Sequence, residues 1–397
     1  MTKRIERRKF LTACAAVSAT AVMGSGGLAL GQQAGFVNAN LQLDPDASSQ
    51  RVIGEFLGLS FDASLIPGGA FFNGGNRALI DYVRGLGRGV LQLGGPNLDR
   101  TTYSPDDLTK LADFANAADW RLILGLSGAT DFSVADQAAK ATQALGQRLI
   151  AFEIGDTPDL TYRDYGSFLS AFRSRAATIV ANVPGAMFAG PSTASHTDWA
   201  ARFAQDERPQ LAALTQQYLH TGGETSLRYG VRRLGQTAAS ADLPLRLERI
   251  VSTSGDNLAN ALWAIDFAFE MAAVGAEGAH FYDDAQAQSR PLYLALQVFK
   301  ESVNARFVQP HLQTKNRNLS AWAVERDDKT RIVTLLNRDS NIGATVTLDP
   351  GRPARAPRIK RLTGLSMETS QVNVVDWRAT ELSALDVPPA SAALIVL

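Results

Sequence analysis

Cysteine is almost absent from this chain of 397 residues, since Cys14 is the only one. Cys14 lies in an N-terminal segment that we expect to be removed, which would leave a mature protein without any. That excludes disulfides, thiolate zinc sites and a cysteine nucleophile. The four histidines, at positions 196, 220, 280 and 311, do not have the spacing typical of metal ligands. We predict neither a metal nor a cofactor.

The sequence also lacks an excess of either charge. It has 39 Lys and Arg against 39 Asp and Glu. Loss of residues 1–31 would remove five basic residues and one acidic residue, which leaves 34 basic against 38 acidic and a net charge of −4. Such a chain has no excess of basic residues with which to bind nucleic acid or an anionic membrane surface. We therefore predict no nucleic-acid partner.

Residues 1–31 have the pattern of an export signal. Arg7-Arg8-Lys9-Phe10-Leu11 precedes an almost uncharged stretch, residues 12–30, and resembles a twin-arginine signal peptide. The alternative is a retained membrane anchor, but this Gly- and Ala-rich stretch is weakly apolar compared with the roughly 20 apolar residues of a spanning helix. We predict a periplasmic or secreted protein with no stable membrane insertion after cleavage.

Between residues 51 and 305, strand and helix patterns alternate about eight times. The strand pattern of residues 89–94, for example, is followed by a helix capped by Ser104 and Pro105, and then by a strand at 121–126. About eight repeats over roughly 250 residues are typical of a (β/α)8 TIM barrel. An open doubly wound sheet is the alternative, but no Gly-rich phosphate loop follows the first predicted strand.

The pattern changes near residue 300. Short alternating strands at 320–324, 331–336, 344–348 and 391–396 are separated by turns rich in Asp, Asn, Pro and Gly. This pattern is typical of a β-sandwich. We predict an α/β fold with a barrel over residues 51–305 and a C-terminal β-sandwich over residues 306–397, to which residues 32–50 supply a strand.

Five stretches of the sequence carry a family resemblance. They are Gly58-Leu-Ser-Phe-Asp62, Leu91-Gln-Leu-Gly-Gly95 with Asp99, Phe152-Glu-Ile-Gly-Asp-Thr-Pro-Asp159, Ala261-Leu-Trp-Ala-Ile-Asp266 and Pro389-Ala-Ser-Ala-Ala393. In order and spacing they resemble glycoside hydrolase family 79, the β-glucuronidases and heparanase-like enzymes. The resemblance implies a retaining mechanism, in which two carboxyl groups about 5–5.5 Å apart flank the glycosidic bond.

The position that the family uses for its acid/base glutamate is occupied here by Thr157. The family motif Gly-Asn-Glu-Pro at the end of the fourth barrel strand reads Gly155-Asp156-Thr157-Pro158 in this chain. A threonine hydroxyl titrates far too high to donate a proton near neutral pH. The resemblance therefore implies a site without its general acid.

The nucleophile position is also changed. When Arg246, Leu247 and Ser252 are aligned on the family pattern Arg-Leu-x-Glu-x-Asn-Ser, Arg249 stands where the nucleophilic glutamate is expected. Side chains alternate along a strand, so we expect Glu248 to face the helices when Arg249 faces the barrel centre. A slip of one residue in this alignment would reverse that arrangement.

Other expected sugar contacts differ from the family as well. Gln92 replaces an arginine, Asp62 replaces a glutamate, and Gln217-Tyr218 stands in place of a His-Tyr pair. The predicted binding residues are Gln92, Asp99, Asp131, Asp156, Thr157, Gln217, Tyr218, Arg249 and Tyr282. Tyr218, Tyr282 and Trp199 are candidate stacking faces for sugar rings, although each is more often a core aromatic.

Three hypotheses for function remain open. The first is an exported protein that binds a glycan without cutting it, with a uronate-containing glycan as one candidate. Its Arg249 would pair with Asp156, Glu153 or Asp131, or with the acid group of the ligand. The second is a degenerate barrel with no ligand. The third is an active glycosidase or other glycan-cleaving enzyme that recruits other acids. Its candidates are Asp156, Glu153, Glu248, Asp283, Asp284 and Asp131. A protein partner is compatible with each hypothesis.

Overall fold

The structure of the protein is a computed structural model. It describes residues 35–128, 133–220, 225–252, 255–282, 289–353, 357–377 and 381–397. The predicted signal peptide lies outside the described residues, as do Asp131, Asp283 and Asp284. Within the described ranges, no helix has both the length and the apolar character needed to cross a membrane.

Eight parallel strands close into a barrel, which confirms the predicted barrel architecture. In chain order they are β2 (Leu57–Asp62), β3 (Val90–Gly94), β4 (Arg121–Leu126), β5 (Leu149–Ile154), β6 (Phe188–Thr193), β7 (Leu211–His220), β8 (Leu245–Ser252) and β9 (Gly278–Tyr282). Small and branched side chains, among them Val90, Ile123, Ala151, Ala189 and Ala213, form one apolar cluster on these strands. Such layers of side chains make a barrel interior a packed core and not a pore.

Helices follow the strands and bury one face each against the barrel. They are α1 (Arg77–Gly85), α2 (Pro105–Ala118), α3 (Ser133–Leu145), α4 (Pro158–Thr161), α5 (Tyr165–Asn182), α6 (Thr197–Asp206), α7 (Thr225–Ser240), α8 (Leu258–Ala273) and α9 (Arg290–Lys300). α2 begins as predicted: Ser104 accepts a hydrogen bond from the Asp107 amide, and Asp107 accepts one from the Ser104 amide. This reciprocal capping satisfies two amides that the helix itself leaves unpaired.

The other strands form one curled mixed sheet with a hydrophobic core of its own, consistent with the predicted β-sandwich. They are β1 (Gly35–Val52), β10 (Ala305–Thr314), β11 (Leu319–Glu325), β12 (Arg331–Asn337), β13 (Ile342–Asp349), β14 (Arg358–Thr363), β15 (Asn373–Trp377), β16 (Leu385–Val387) and β17 (Ser391–Val396). The spatial order is β15-β14-β17-β12-β11-β10-β1-β13-β16. β1 pairs antiparallel with β10 and parallel with β13, so a segment that precedes the barrel in sequence completes this sheet.

Asp266 of α8 joins the barrel to the sheet. Its carboxylate accepts hydrogen bonds from Trp322 Nε1 at 2.7 Å and from Arg338 Nη1 at 2.6 Å. The Trp322 ring also stacks on Phe269 of the same helix, with 5.5 Å between the ring centroids. α8 is therefore covered on two sides, and this explains why it is apolar around most of its circumference.

We expect Asp266→Ala to lower the free energy of unfolding by about 3 kcal/mol, because it leaves a guanidinium and an indole N–H without their shared acceptor at a mostly buried position. Chemical denaturation followed by circular dichroism measures the change. Glu368→Ala, which removes an exposed acid, is the control. Equal stabilities of the two variants would contradict this role for Asp266.

Candidate functional site

The fourth and seventh strands of the barrel, β5 and β8, bring acidic side chains together inside it. Glu153 of β5 is 2% exposed and Glu248 of β8 is 0% exposed, and their carboxyl groups lie close enough to affect each other's pKa. β5 and β8 are not neighbours in the barrel. The contact therefore crosses the barrel interior, below the mouth at the carboxyl ends of the strands.

Neutral side chains complete this buried pair. Gln92 Nε2 and Thr215 Oγ1 donate to the two Glu153 oxygens at 2.8 and 2.9 Å, and Ser192 Oγ donates to Glu248 at 3.0 Å. Burial raises the pKa of both glutamates, and the neighbouring Glu153 raises that of Glu248 further. Because ionising both buried carboxyl groups is unfavourable, we expect the pair to share one proton, held mainly by Glu248, whose pKa the neighbouring acid raises further.

The prediction that Glu248 faces the helices is wrong, because β8 contains a bulge. The pairing of β8 shifts register on both sides, between Gln217 and Leu219 of β7 and between Leu247 and Ile250 of β8. Arg249 lies at the shift with a φ of 45°, in the left-handed region. The extra residue breaks the alternation, so Glu248 and Arg249 both turn to the barrel interior at successive depths.

An ion pair lies above the buried acids, at the mouth. Arg249 Nη1 is 3.2 Å from Asp156 Oδ2, and the two side chains are 21% and 14% exposed. Gln217 Nε2 donates to the other Asp156 oxygen at 2.8 Å, and the Arg249 guanidinium lies 5.7 Å from the centre of the Tyr282 ring. Four predicted binding residues therefore meet in one place, and Arg249 has one of its three predicted partners.

Thr157 stands beside this ion pair on a strained turn. Its φ is 43°, a conformation that a β-branched residue rarely adopts, and its hydroxyl lies 3.5 Å from Asp156 Oδ2. The preceding residue Gly155 has a φ of 80° and passes close to Gly128: a Cβ on Gly128 would lie 2.9 Å from the Gly155 Cα. Close packing of the two backbones thus accompanies the turn that carries Thr157 to the mouth.

Three other acids near the mouth hold loops in place. Asp99 accepts hydrogen bonds from Ser127 Oγ and the Gly128 amide at 2.9 and 2.7 Å. Asp159 accepts from the amides of residues 194 and 195 at 2.8 and 2.9 Å. Asp62 accepts from the amide of residue 64 and from Asn97 Nδ2 at 2.9 and 3.1 Å. These carboxylates position the loops that surround the mouth.

The structure does not bring every predicted residue to the mouth. Tyr218 is 1% exposed and packs on Phe267 of α8 with 4.5 Å between ring centroids, so the prediction that it contacts a sugar is wrong. Trp199 likewise belongs to the helix layer, stacked on Phe168. Gln92 lies below the mouth, bonded to Glu153. Asp131 and Asp283 lie outside the described residues.

Sequence analysis overlooked Ser192 and Thr215, which link the buried acids to their surroundings. A signal was present: each is the first polar side chain after an apolar run in its strand, β6 or β7, and both are 0% exposed. His280 is also fully buried; burial and the nearby Arg246 lower its pKa well below the ordinary value, which suits a core residue. No group of three or more His, Cys, Asp or Glu able to hold a metal occurs among the described residues.

The chain matches no protein-family model and no curated protein sequence. Solved structures do resemble it. A family 51 arabinofuranosidase from Xanthomonas axonopodis pv. citri has a TM-score of 0.68 at 13% identity, with 91% of this chain and 100% of that chain covered. A 4-O-α-L-rhamnosyl-β-D-glucuronidase from Fusarium oxysporum 12S has a TM-score of 0.68 at 14% identity, with coverage of 90% and 100%.

A third similar structure is a family 44 xyloglucanase from Paenibacillus polymyxa, with a TM-score of 0.65, 10% identity, and coverage of 91% of this chain and 99% of that chain. All three are glycoside hydrolases, and their likeness extends over both the barrel and the sheet. At these identities the likeness shows the fold alone. The chain thus has a glycoside-hydrolase-like fold.

We expect Glu248→Gln to change how stability depends on pH. Because the folded pKa of Glu248 is raised, the unfolded chain loses this proton first as the pH rises through about 4.3. The wild-type free energy of unfolding then falls by up to about 1.4 kcal/mol per pH unit until the folded pKa is reached. The glutamine amide can still donate to Glu153 but does not titrate. The free energy of unfolding of the variant should therefore rise relative to that of the wild type as the pH rises.

Urea denaturation at intervals between pH 4 and pH 8 measures this difference. Glu368→Gln, which changes an exposed glutamate in the same way, is expected to follow the wild-type curve. Parallel curves for wild type and Glu248→Gln would contradict the shared proton.

Proposed function

We propose that this protein is an exported, glycoside-hydrolase-like carbohydrate-binding protein related to family 79, and that it does not hydrolyse its ligand through the two family positions. The observation that carries the proposal is the ion pair between Asp156 and Arg249. It lies at the ends of the two strands where a retaining enzyme of this family has its acid/base and its nucleophile. A guanidinium cannot attack an anomeric carbon, and Thr157 cannot act as a general acid.

The glutamates of the same two strands do not replace the missing pair. Glu153 and Glu248 lie below the mouth, share one proton and are held by Gln92, Thr215 and Ser192. A general acid must reach the glycosidic oxygen to within hydrogen-bonding distance, and a nucleophile must reach the anomeric carbon. The described acids at the mouth itself accept loop amides or the guanidinium of Arg249, so their geometry favours binding over hydrolysis.

The mouth offers suitable groups for a sugar. Asp156, Gln217 and Arg249 combine acceptors and donors within one hydrogen-bonded group, and sugar hydroxyls use both kinds. Arg249 also favours an acidic sugar, because its fork of N–H groups matches a carboxylate and its Nε has no hydrogen-bond partner among the described residues. The Fusarium neighbour, named as a glucuronidase, acts on an acidic sugar, which supports a uronate at the equivalent place.

The purified mature protein is expected to show no turnover of aryl β-D-glucuronides or related aryl glycosides above an Asp156→Ala, Thr157→Ala double variant. Chromophore release over a range of pH is the measurement. Turnover clearly above that control would contradict the proposal and favour an enzyme that uses other acids. In that case, the double variant Thr157→Glu, Arg249→Glu would restore glutamates at the two family positions. Its rate of glycoside hydrolysis, compared with that of the wild type, would show how much these two glutamates contribute.

Binding is tested by calorimetric titration with glucuronate oligosaccharides. We expect Arg249→Gln to weaken binding at least about tenfold, since a charged hydrogen bond to a ligand is worth about 1.5–3 kcal/mol. Arg163→Gln, an exposed arginine on the loop after α4, is the control and should bind as the wild type does. Equal affinities of the two variants would contradict a uronate at Arg249.

Export is tested separately. Arg7→Lys with Arg8→Lys should prevent translocation through a twin-arginine pathway, because that pathway reads the arginine pair itself. Cell fractionation and immunoblotting of precursor and mature forms measure the outcome, with Lys3→Arg as the control. Normal processing of the double variant would contradict a twin-arginine signal.

A further inference from the structure

The buried pair of Glu153 and Glu248 has no part in the function proposed above, yet hydrogen bonds connect it to the mouth. Gln217 Nε2 has two protons, and it donates to Asp156 Oδ1 at 2.8 Å and to Ser192 Oγ at 3.2 Å. Ser192 in turn donates its single proton to Glu248 Oε2 at 3.0 Å. Every proton in this chain is used, so the chain leads from the mouth to the buried acids without a gap.

The two buried acids differ in how well their oxygens are satisfied. Both oxygens of Glu153 accept hydrogen bonds, one from Gln92 and one from Thr215. Glu248 Oε2 accepts from Ser192, whereas Glu248 Oε1 is buried and has no hydrogen-bond partner among the described residues. Donors favour an ionised carboxylate, and burial without donors disfavours it. The geometry therefore places the proton of the pair mainly on Glu248.

The charged and titratable side chains around Glu248 come from two strands besides its own. They are Glu153 of β5, Asp156 in the turn after β5, Arg246 and Arg249 of β8, and His280 of β9. Neutral groups complete the surroundings, and these are Ser60, Gln92, Ser192 and Thr215 of β2, β3, β6 and β7. At the opposite end of the barrel, Glu55, Arg121 of β4 and Glu277 lie near Arg246.

The two buried nitrogen bases of this interior keep their charge states near neutral pH. Burial lowers the pKa of Arg246 to about 10, so this arginine stays positively charged. Burial and Arg246, which is 3.2 Å away, lower the pKa of His280 well below its ordinary value, so this imidazole stays neutral. We therefore assign changes of charge inside the barrel to the carboxyl pair.

A negative charge at the mouth acts on the buried pair. Asp156, which is 3.2 Å from Arg249, raises the pKa of both Glu153 and Glu248 through its charge. A ligand carboxylate at Arg249 would place a second anion next to Asp156 and would act in the same direction. Anion binding and retention of the proton therefore favour each other, because coupling between two sites is reciprocal.

We propose that the buried pair couples the mouth to a proton: an anionic group binds at Arg249 more tightly while Glu248 holds its proton, and loss of that proton weakens the binding. The proposal rests on the function proposed above and makes Glu248 a residue that sets the specificity of the same site for charge. A neutral sugar brings no charge to the mouth, so its binding does not depend on this proton.

The direction of the effect follows from the charges. With Glu248 protonated, Glu153, Asp156 and Arg249 contribute two negative charges and one positive charge, a net charge of about −1. Ionisation of Glu248 makes this about −2, which repels an incoming anion more strongly. The affinity for an anion should thus be constant below the titration midpoint of Glu248 and fall by up to about tenfold per pH unit above it, since one proton is taken up with each ligand.

The first test is calorimetric titration of the mature full-length protein between pH 5 and pH 9, with methyl β-D-glucuronide and neutral methyl β-D-glucoside as probes. Two buffers with different ionisation enthalpies give the number of protons taken up on binding. For the wild type and the exposed control Glu368→Gln, we expect the affinity for the glucuronide to fall at least tenfold over this range, with proton uptake in its upper part. The affinity of Glu248→Gln should stay within twofold of its own value at pH 5, without proton uptake.

The second test needs no ligand. In protein labelled with ¹³C-glutamate, NMR follows the Glu248 carboxyl carbon with pH, and Glu248→Gln identifies the signal by its absence. Asp156→Asn should lower the titration midpoint and Arg249→Gln should raise it, each by at least about 0.5 pH unit. Asp81→Asn and Arg163→Gln, which change exposed residues, are the matched controls and should leave it in place.

Two results overturn the coupling. One is a Glu248 carboxyl group that does not titrate between pH 5 and pH 9, or whose midpoint is the same in Asp156→Asn, Arg249→Gln and the wild type. The other is glucuronide binding by the wild type that neither depends on pH nor takes up a proton. Proton uptake is measured on the wild type, so the test stays decisive if Glu248→Gln does not fold.

Failure of the coupling and failure of the proposed function give different results. Glucuronide binding that requires Arg249 but is independent of pH overturns the coupling and leaves the uronate at the mouth standing. Opposite shifts of the Glu248 midpoint in Asp156→Asn and Arg249→Gln, without glucuronide binding at any pH, support the coupling of charge and proton and contradict the uronate.

Discussion

A hydrogen-bonded column of polar groups crosses the barrel between β5 and β8, and the candidate site depends on it. Glu153 and Glu248 form its base, Ser192 and Gln217 continue it at 3.0 and 3.2 Å, and Asp156 with Arg249 closes it at the mouth. Buried polar groups are tolerated only where they are paired. The position of the buried glutamates therefore restricts where Ser192 and Gln217 can lie, and these in turn restrict the ion pair at the mouth.

Charge explains why an arginine suits this position. The negative charge of Asp156 raises the pKa of both Glu153 and Glu248, so three acids lie close enough to influence one another. One shared proton and one guanidinium reduce the net charge of this group to about −1. A glutamate in place of Arg249 would add a fourth acid and remove the only cation that the group contacts among the described residues. The column thus favours an arginine at position 249 over a further acid.

The regular parts of this structure could be predicted because their signals repeat. Alternating strand and helix patterns indicated the barrel, and short alternating strands indicated the sheet. Thr157 and Arg249 drew attention only through the resemblance of the residues around them to family 79, and the loss of a catalytic pair at these positions stays a prediction. The bulge in β8 could not be predicted, since one extra residue leaves the local composition unchanged while it reverses the direction of every later side chain. Glu248 was misplaced for that reason.

Aromatic residues show a second limit of sequence analysis. Tyr218 and Tyr282 both lie at the ends of barrel strands and are equally plausible sugar contacts by sequence. Only the packing separates them: Tyr218 lies against Phe267 in the helix layer, while Tyr282 borders the mouth beside Arg249. Which face of a strand end is covered depends on the neighbouring helix, and therefore on residues about 50 positions away in the chain.

The sheet contributes to the site although it lies on the far side of α8 from the barrel. Trp322 and Arg338 bind Asp266 in the middle of this helix, and the loop between β14 and β15 accepts hydrogen bonds from its first turn. These contacts set where α8 begins. A helix start held in this way cannot shift unless the sheet moves as well. The packing that stabilises the two layers against each other thereby also preorganises the surface beside the mouth.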